Sequence, residues 1–149
     1  MSWVSEEAHA RSQFEVEADE NQRERLFDEA AARRWDELRQ ELQGDTHDFN
    51  SQGGAADYVE SENACEVQCA NTGLTLRARF DPSARVVRYD YGSDSRRTAP
   101  PEGGILSMRF SRYRRAELYS SDEHLTSEEA RRLLLEPVFF PPGEQTVAA

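Results

Sequence analysis

Two cysteines, three histidines and 29 carboxylates are the groups in this chain with chemistry to offer, and their spacing decides what that chemistry could be. Nucleophilic catalysis needs Ser, Cys or Thr held beside a base. His9, His47 and His124 are far apart, and none adjoins a cysteine or a G-x-S-x-G turn. Asp45-Thr46-His47-Asp48 contains metal-ligating types, but helical offsets put the two aspartates on one side and His47 off it. A metal needs three or four converging ligands. Carboxylate pairs for glycoside chemistry are too easily found among 29 acids to single one out. Gly53-Gly54 and Gly103-Gly104 lack the strand-to-helix setting and the lysine of a phosphate loop. All 18 basic residues are arginines. This excludes Schiff-base lysines, and because it holds throughout the chain it reads as compositional bias. No residue is singled out as catalytic, cofactor-binding or metal-ligating, and the expectation is a protein that is not an enzyme.

Cys65 and Cys69 belong to a strand-like run, where four residues span about 13 Å, too far for a mutual disulfide. Both are expected to be reduced, structural thiols, the usual state in a cytosolic protein.

Two charge features remain. Residues 1–62 hold 17 acids and 6 arginines, residues 63–121 hold 6 acids and 10 arginines, and residues 122–149 hold 6 acids and 2 arginines. The acidic N-terminal part presents Glu29, Asp36 and Glu37 as a candidate protein-binding face, suited to a basic partner. The central part offers Arg77, Arg79 and Arg109, with Arg88, Arg112, Arg114 and Arg115 and with Tyr89, Tyr91, Tyr113 and Tyr119 close in sequence. Arginine interleaved with aromatics on a sheet is a candidate face for an anionic ligand or nucleic acid. The net charge of −11 opposes the approach of nucleic acid.

The elements that must position these groups follow from periodicity. Phe27, Ala31, Trp35, Leu38 and Leu42 recur at helical spacing, and Phe49 extends the stripe, so an amphipathic helix is expected there. Gly44 is expected to end it or weaken it. Residues 51–56 read as the loop into a sheet. Strands are expected over 65–69, 74–80 and 85–91, with turns at Asn71-Thr72-Gly73 and Asp81-Pro82-Ser83-Ala84. Residues 92–104 read as a loop, flexible between Ser93 and Gly103, and Ile105 to Tyr119 as one bent strand or two with no visible turn. Thr126 with Glu129 forms a capping box, with Leu125 and Ala130 as its staple, and Pro137 is expected to stop that helix. Trp35 and Leu38 are expected to pack on Leu76, Phe80 and Met108. Phe139 and Phe140 should pack back on the body or, if exposed, form a docking patch.

The fold class expected is α+β: a long N-terminal amphipathic helix, an antiparallel meander of about four strands, and a short C-terminal helix packed on one face. Residues 1–19 form an acidic, frayed segment, 20–140 a single domain and 141–149 a flexible tail. With no leader or apolar span in view, a cytoplasmic location is expected. No functional motif of a known family is recognisable in the chain. The function expected is non-enzymatic protein binding, of the inhibitor, immunity-factor or chaperone-like kind. The partner is a protein of basic character, homo-oligomerisation being left open, and neither nucleic acid nor membrane is expected. The alternative is a small ligand- or nucleic-acid-binding domain using the Arg/Tyr-rich sheet.

Overall fold

The computed structural model describes residues 2–94 and 99–142. Helix α1 runs from Trp3 to Ser51, 49 residues without a break. Ser2 caps its start, the hydroxyl accepting from the Ser5 N–H at 3.3 Å. The acidic segment expected to be frayed is thus helix, continuous with the amphipathic helix that follows. Gly44 lies within α1 with open space around it and ends nothing. The helix stops at a Gly-rich exit instead. Gly53 takes φ +99°, and a Cβ on Gly54 would run into the Phe49 ring.

Seven strands follow in strict meander order: β1 (Ala56–Ser61), β2 (Ala64–Cys69), β3 (Leu74–Asp81), β4 (Val86–Ser93), β5 (Gly104–Phe110), β6 (Ala116–Ser120) and β7 (Glu123–Leu125). Every neighbouring pair is antiparallel. The sheet is therefore larger than the four strands expected. The added strands are β1, β7 and the division of residues 105–119 in two. Helix α2 (Ser127–Phe139) closes the chain's described part.

The turns explain where the extra strands came from. Ser111 makes the β5–β6 turn with its hydroxyl, which accepts from Tyr113 N at 3.2 Å and Arg115 N at 3.3 Å. Arg114 supplies the left-handed residue, φ 60°, a conformation usually left to Gly or Asn. Ser121 does the same for β6–β7 at φ 54°. Neither turn carries a glycine or proline to announce it. The β3–β4 turn is as expected, with Asp81 Oδ1 accepting from Ser83 N at 3.1 Å. β4 continues through Ser93, so the expected loop begins later. Residues 95–98, with Arg96 and Arg97, lie outside the described residues, as does the tail from 143 onward.

Alternate strand residues on one face, among them Val67, Leu76, Phe80, Val87, Leu106, Met108 and Leu118, form one core with Trp35, Leu38 and Leu42 of α1 and Leu134 and Val138 of α2. Trp35 and Leu38 are buried as expected, and Trp35 stacks on Phe80 at 5.8 Å. Its indole N–H donates to Glu62 O at 3.0 Å, tying α1 to the β1–β2 turn. At the outer edge of the sheet, the Asn50 amide both accepts from Ala56 N and donates to Ala56 O, each at 2.8 Å. The side chain acts as one more rung of the ladder on edge strand β1.

Pro137 does not stop α2, which continues to Phe139. A proline inside a helix leaves the carbonyl four residues back without its donor. That carbonyl is Leu133 O, and the Tyr91 hydroxyl lies 3.3 Å from it while donating to Leu134 O at 2.8 Å. Thr72 Oγ1 likewise donates to Val138 O at 2.8 Å. A hydroxyl from β4 and one from the β2–β3 turn thus supply donors to carbonyls at the end of α2. The capping box at Thr126 is formed in both directions. Among the described residues no helix is long and apolar enough to cross a membrane.

Candidate functional site

The spacing that carries Phe27, Ala31, Trp35, Leu38 and Leu42 runs backward along the same line of α1 through Glu24, Glu20, Glu17 and Gln13 to Glu6. At Glu24 the core-facing stripe turns from apolar to acidic. Carboxylates cannot enter an apolar core unpaired, so the helix leaves the body there. Residues 2–25 are all exposed, including Trp3 at 77% and Phe14 at 72%. At 1.5 Å rise per residue the free arm is about 35 Å long. Phe27 marks its root, stacked on Phe110 at 5.3 Å and covered by Arg85, which is held by Asp28 at 2.7 Å.

Glu29, Asp36 and Glu37 are exposed on α1, beyond the arm and away from the core. Asp36 pairs with Arg39, and Glu37 lies 3.7 Å from Arg34. Glu29 has no ion-pair partner among the described residues. The three are exposed on the side of the helix away from the core, and the arm beside them was not foreseen as a surface.

Arg77, Arg79 and Arg109 all point from the uncovered face of the sheet. Arg77 pairs with Glu66 at 2.9 Å. Arg109 pairs with Asp122 at 3.0 Å and lies over the Tyr119 ring. Arg79 stands directly across from Arg88, which is 3.9 Å from Asp81. Tyr89 and Tyr91 belong to the opposite, core-facing side, and Tyr113 sits at the β5–β6 turn. Of the expected interleaving of arginine and tyrosine, Arg109 over Tyr119 is the one pair that shares this face among the described residues: alternation in β4 sends its tyrosines to the core side and Arg88 to the other.

Arg114 and Arg115 meet α1 instead. With Ala30, Arg33, Arg34 and Glu37 of α1, with Glu117 and His124 of the sheet and with Thr126 and Ser127 at the start of α2, they line a cavity of about 550 Å³. Arg34 is held by Glu41 at 3.1 Å and by Ser127 Oγ at 3.1 Å. A second, more apolar cavity of about 420 Å³ lies at the far end of the two helices, lined by Phe49, Leu135, Phe139 and Phe140 with Asp45, Asp48 and Arg131. Phe139 is buried and stacks on Phe49 at 4.1 Å, whereas Phe140 is 66% exposed. Sequence reasoning missed the first cavity because its arginines come from two doublets, Arg33-Arg34 and Arg114-Arg115, that are distant in the chain.

The remaining groups stay apart. His9 lies on the arm, His47 on the outer side of α1, and His124 on β7, 3.6 Å from Glu117. Among the described residues no three His, Cys, Asp or Glu side chains are grouped to hold a metal. Cys65 and Cys69 are free and buried on the core face of β2. Burial pushes the Cys65 thiol up to about 12, against smaller downward effects of a Tyr58 hydrogen bond and of Arg39. Such a thiol is not nucleophilic near neutrality. Tyr58 and Tyr91 are also raised, burial being the largest cause in both. Asp45 is raised by burial, against the attraction of Arg131 at 3.1 Å.

Comparison of the chain with protein-family models, with curated proteins and with solved structures finds no match.

Proposed function

We propose that the protein is a non-enzymatic binding protein that engages a basic surface of another protein through the free N-terminal arm of α1. The observation that carries this reading is the change of one helical stripe from Phe27 and its successors to Glu24, Glu20, Glu17 and Glu6, on a segment exposed throughout. Helices in water are held mainly by packing of one face. An unpacked arm whose would-be packing face is acidic is suited to a partner that is cationic there. Trp3 and Phe14 add large apolar contact area of the kind that anchors protein interfaces. The sheet face supports the ligand or nucleic-acid alternative less well, since Arg77 and Arg109 are already engaged by Glu66 and Asp122.

The test is isolation of the native protein from its source at low salt, with identification of what accompanies it. A protein partner is expected, and Glu17, Glu20 and Glu24 changed together to Gln should release it while leaving the fold intact. Nucleic acid bound at physiological salt, with the arm variant behaving like the parent, would sink this reading. In that case Arg77, Arg79 and Arg109 would be the residues to change.

A further inference from the structure

The cavity between α1, the β5–β6 turn and the start of α2 collects arginines that the rest of the molecule leaves unengaged. Most described arginines have a carboxylate, a hydrogen-bond acceptor or an aromatic ring beside them. Among the described residues the exceptions are Arg25, Arg33, Arg79, Arg114 and Arg115. Three of those, Arg33, Arg114 and Arg115, line this one cavity. In a chain with 29 acids and 18 arginines, unengaged guanidinium groups are not forced by a shortage of partners.

We propose that this cavity binds a small phosphate-bearing molecule. A phosphate group carries up to two charges and three strong acceptor oxygens, and a guanidinium fork meets two of them at once. Arg33 approaches from α1, and Arg114 and Arg115 approach from the turn. Arg34, its side chain only 11% exposed, forms the floor, fixed between Glu41 and Ser127. A floor arginine already held in place loses little rotamer freedom when a ligand arrives. Arg114 stands in that turn with a left-handed backbone, φ 60°. Glu37 and Glu117 on the rim are acceptors only, suited to the hydroxyl or amino groups of the organic part rather than to the phosphate. At about 550 Å³ the site is within the roughly 300–1,000 Å³ range of small-ligand pockets. Pyrophosphate, or a nucleotide or sugar phosphate, matches it in charge and size. The site is separate from the arm's acidic stripe, and its fate does not depend on whether the arm binds a protein.

The test is isothermal titration of the full chain with inorganic phosphate, pyrophosphate, nucleoside mono- and diphosphates and citrate, at one fixed ionic strength. Saturable one-to-one binding of at least one phosphate compound is expected. Arg33→Ala with Arg115→Ala should weaken it by about tenfold or more. Arg132→Ala, which removes an exposed arginine of α2 that does not line the cavity, should leave it unchanged. Both altered arginines are exposed, so the thermal midpoint of the double variant should match the parent and show that the fold survives. The proposal is overturned if no phosphate compound binds saturably, if Arg132→Ala weakens binding as much as the double variant, or if citrate binds as tightly as every phosphate. It is also overturned if an acidic helical peptide, rather than a phosphate compound, competes for these arginines.

Discussion

Tyr91 shows how much one side chain can decide. Its ring fills the core beside Tyr89, 6.0 Å away, and its hydroxyl donates to Leu134 O at 2.8 Å and lies 3.3 Å from Leu133 O, the carbonyl that Pro137 leaves without a helical donor. Removing the hydroxyl leaves a buried acceptor unsatisfied, which costs about 1–3 kcal/mol. Tyr91→Phe is therefore expected to lower the denaturant midpoint by that amount, with the m value unchanged. The same variant in a Pro137→Ala background should cost less, because the helix then supplies Leu133 with its own N–H donor. Cys65 gives a second measurable consequence. Its buried, high-pKa thiol should resist alkylation in the native protein, and intact mass should show two adducts once denaturant exposes Cys65 and Cys69. Single residues also mark where the fold was hidden from sequence reasoning. Arg85, Arg114 and Ser121 adopt positive φ in place of glycine, and Pro137 continues a helix it was expected to end. In each case a tertiary hydrogen bond or a tight turn outweighed local preference.

Helix α1 divides into two stretches of unequal stability at about Phe27. Beyond it, Ala31, Trp35, Leu38 and Leu42 are buried, and Trp35→Ala should destabilise the protein by about 3–5 kcal/mol. Before it, the arm has no tertiary packing, so its amides should exchange far faster than those of residues 31–49 when followed by mass spectrometry. Equal protection of both halves in the isolated protein would mean that the arm is covered. The apolar half of α1 and the capped α2 were legible because their periodicity and capping box are strong local signals. The arm was not, since acidic residues at helical spacing read equally well as a solvated, irregular segment. Strand β1 escaped for a related reason. Glu60 occupies an inward position, where it meets Arg39 at 3.9 Å and accepts from the Tyr58 hydroxyl at 2.7 Å, and this breaks the apolar alternation. For α2, Thr126→Ala should cost about 1 kcal/mol at neutral pH. Glu129 is held below the usual carboxylate range, chiefly by the Thr126 backbone N–H. A lowered acid stabilises the fold above its unfolded pKa and loses that contribution as pH falls through its folded pKa. That bond survives Thr126→Ala, so it is the gap between parent and Glu129→Gln that should narrow in acid.

On the scale of the whole molecule, charge is distributed by position in the fold. Helix α1 with its arm carries most of the acidic excess, while among the described arginines of the sheet Arg77, Arg88 and Arg109 lie beside carboxylates and Arg114 and Arg115 are gathered at one cavity. The expected acidic face at Glu29, Asp36 and Glu37 and the arm stripe at Glu17, Glu20 and Glu24 therefore belong to one negative field along α1, but they should act differently on binding. Residues in direct contact set how long a complex lasts, whereas charges outside the contact act mainly on the rate of encounter. If the arm is the contact, changing Glu17, Glu20 and Glu24 to Gln should raise the dissociation rate. Changing Glu29, Asp36 and Glu37 to Gln, Asn and Gln should instead slow association with little effect on dissociation. Salt separates the two further. The Debye length falls from about 10 Å at 0.1 M to about 3 Å at 1 M, so the association rate of the parent should drop steeply across that range, and that of the Glu29, Asp36 and Glu37 variant less so. Stopped-flow measurement against the isolated partner would read both rates. If the two variants show the same dissociation rate, the arm is not the contact. If association is indifferent to salt in the parent, the negative field of α1 is a solvated surface, and the Phe140 end of the helix pair is the next place to change.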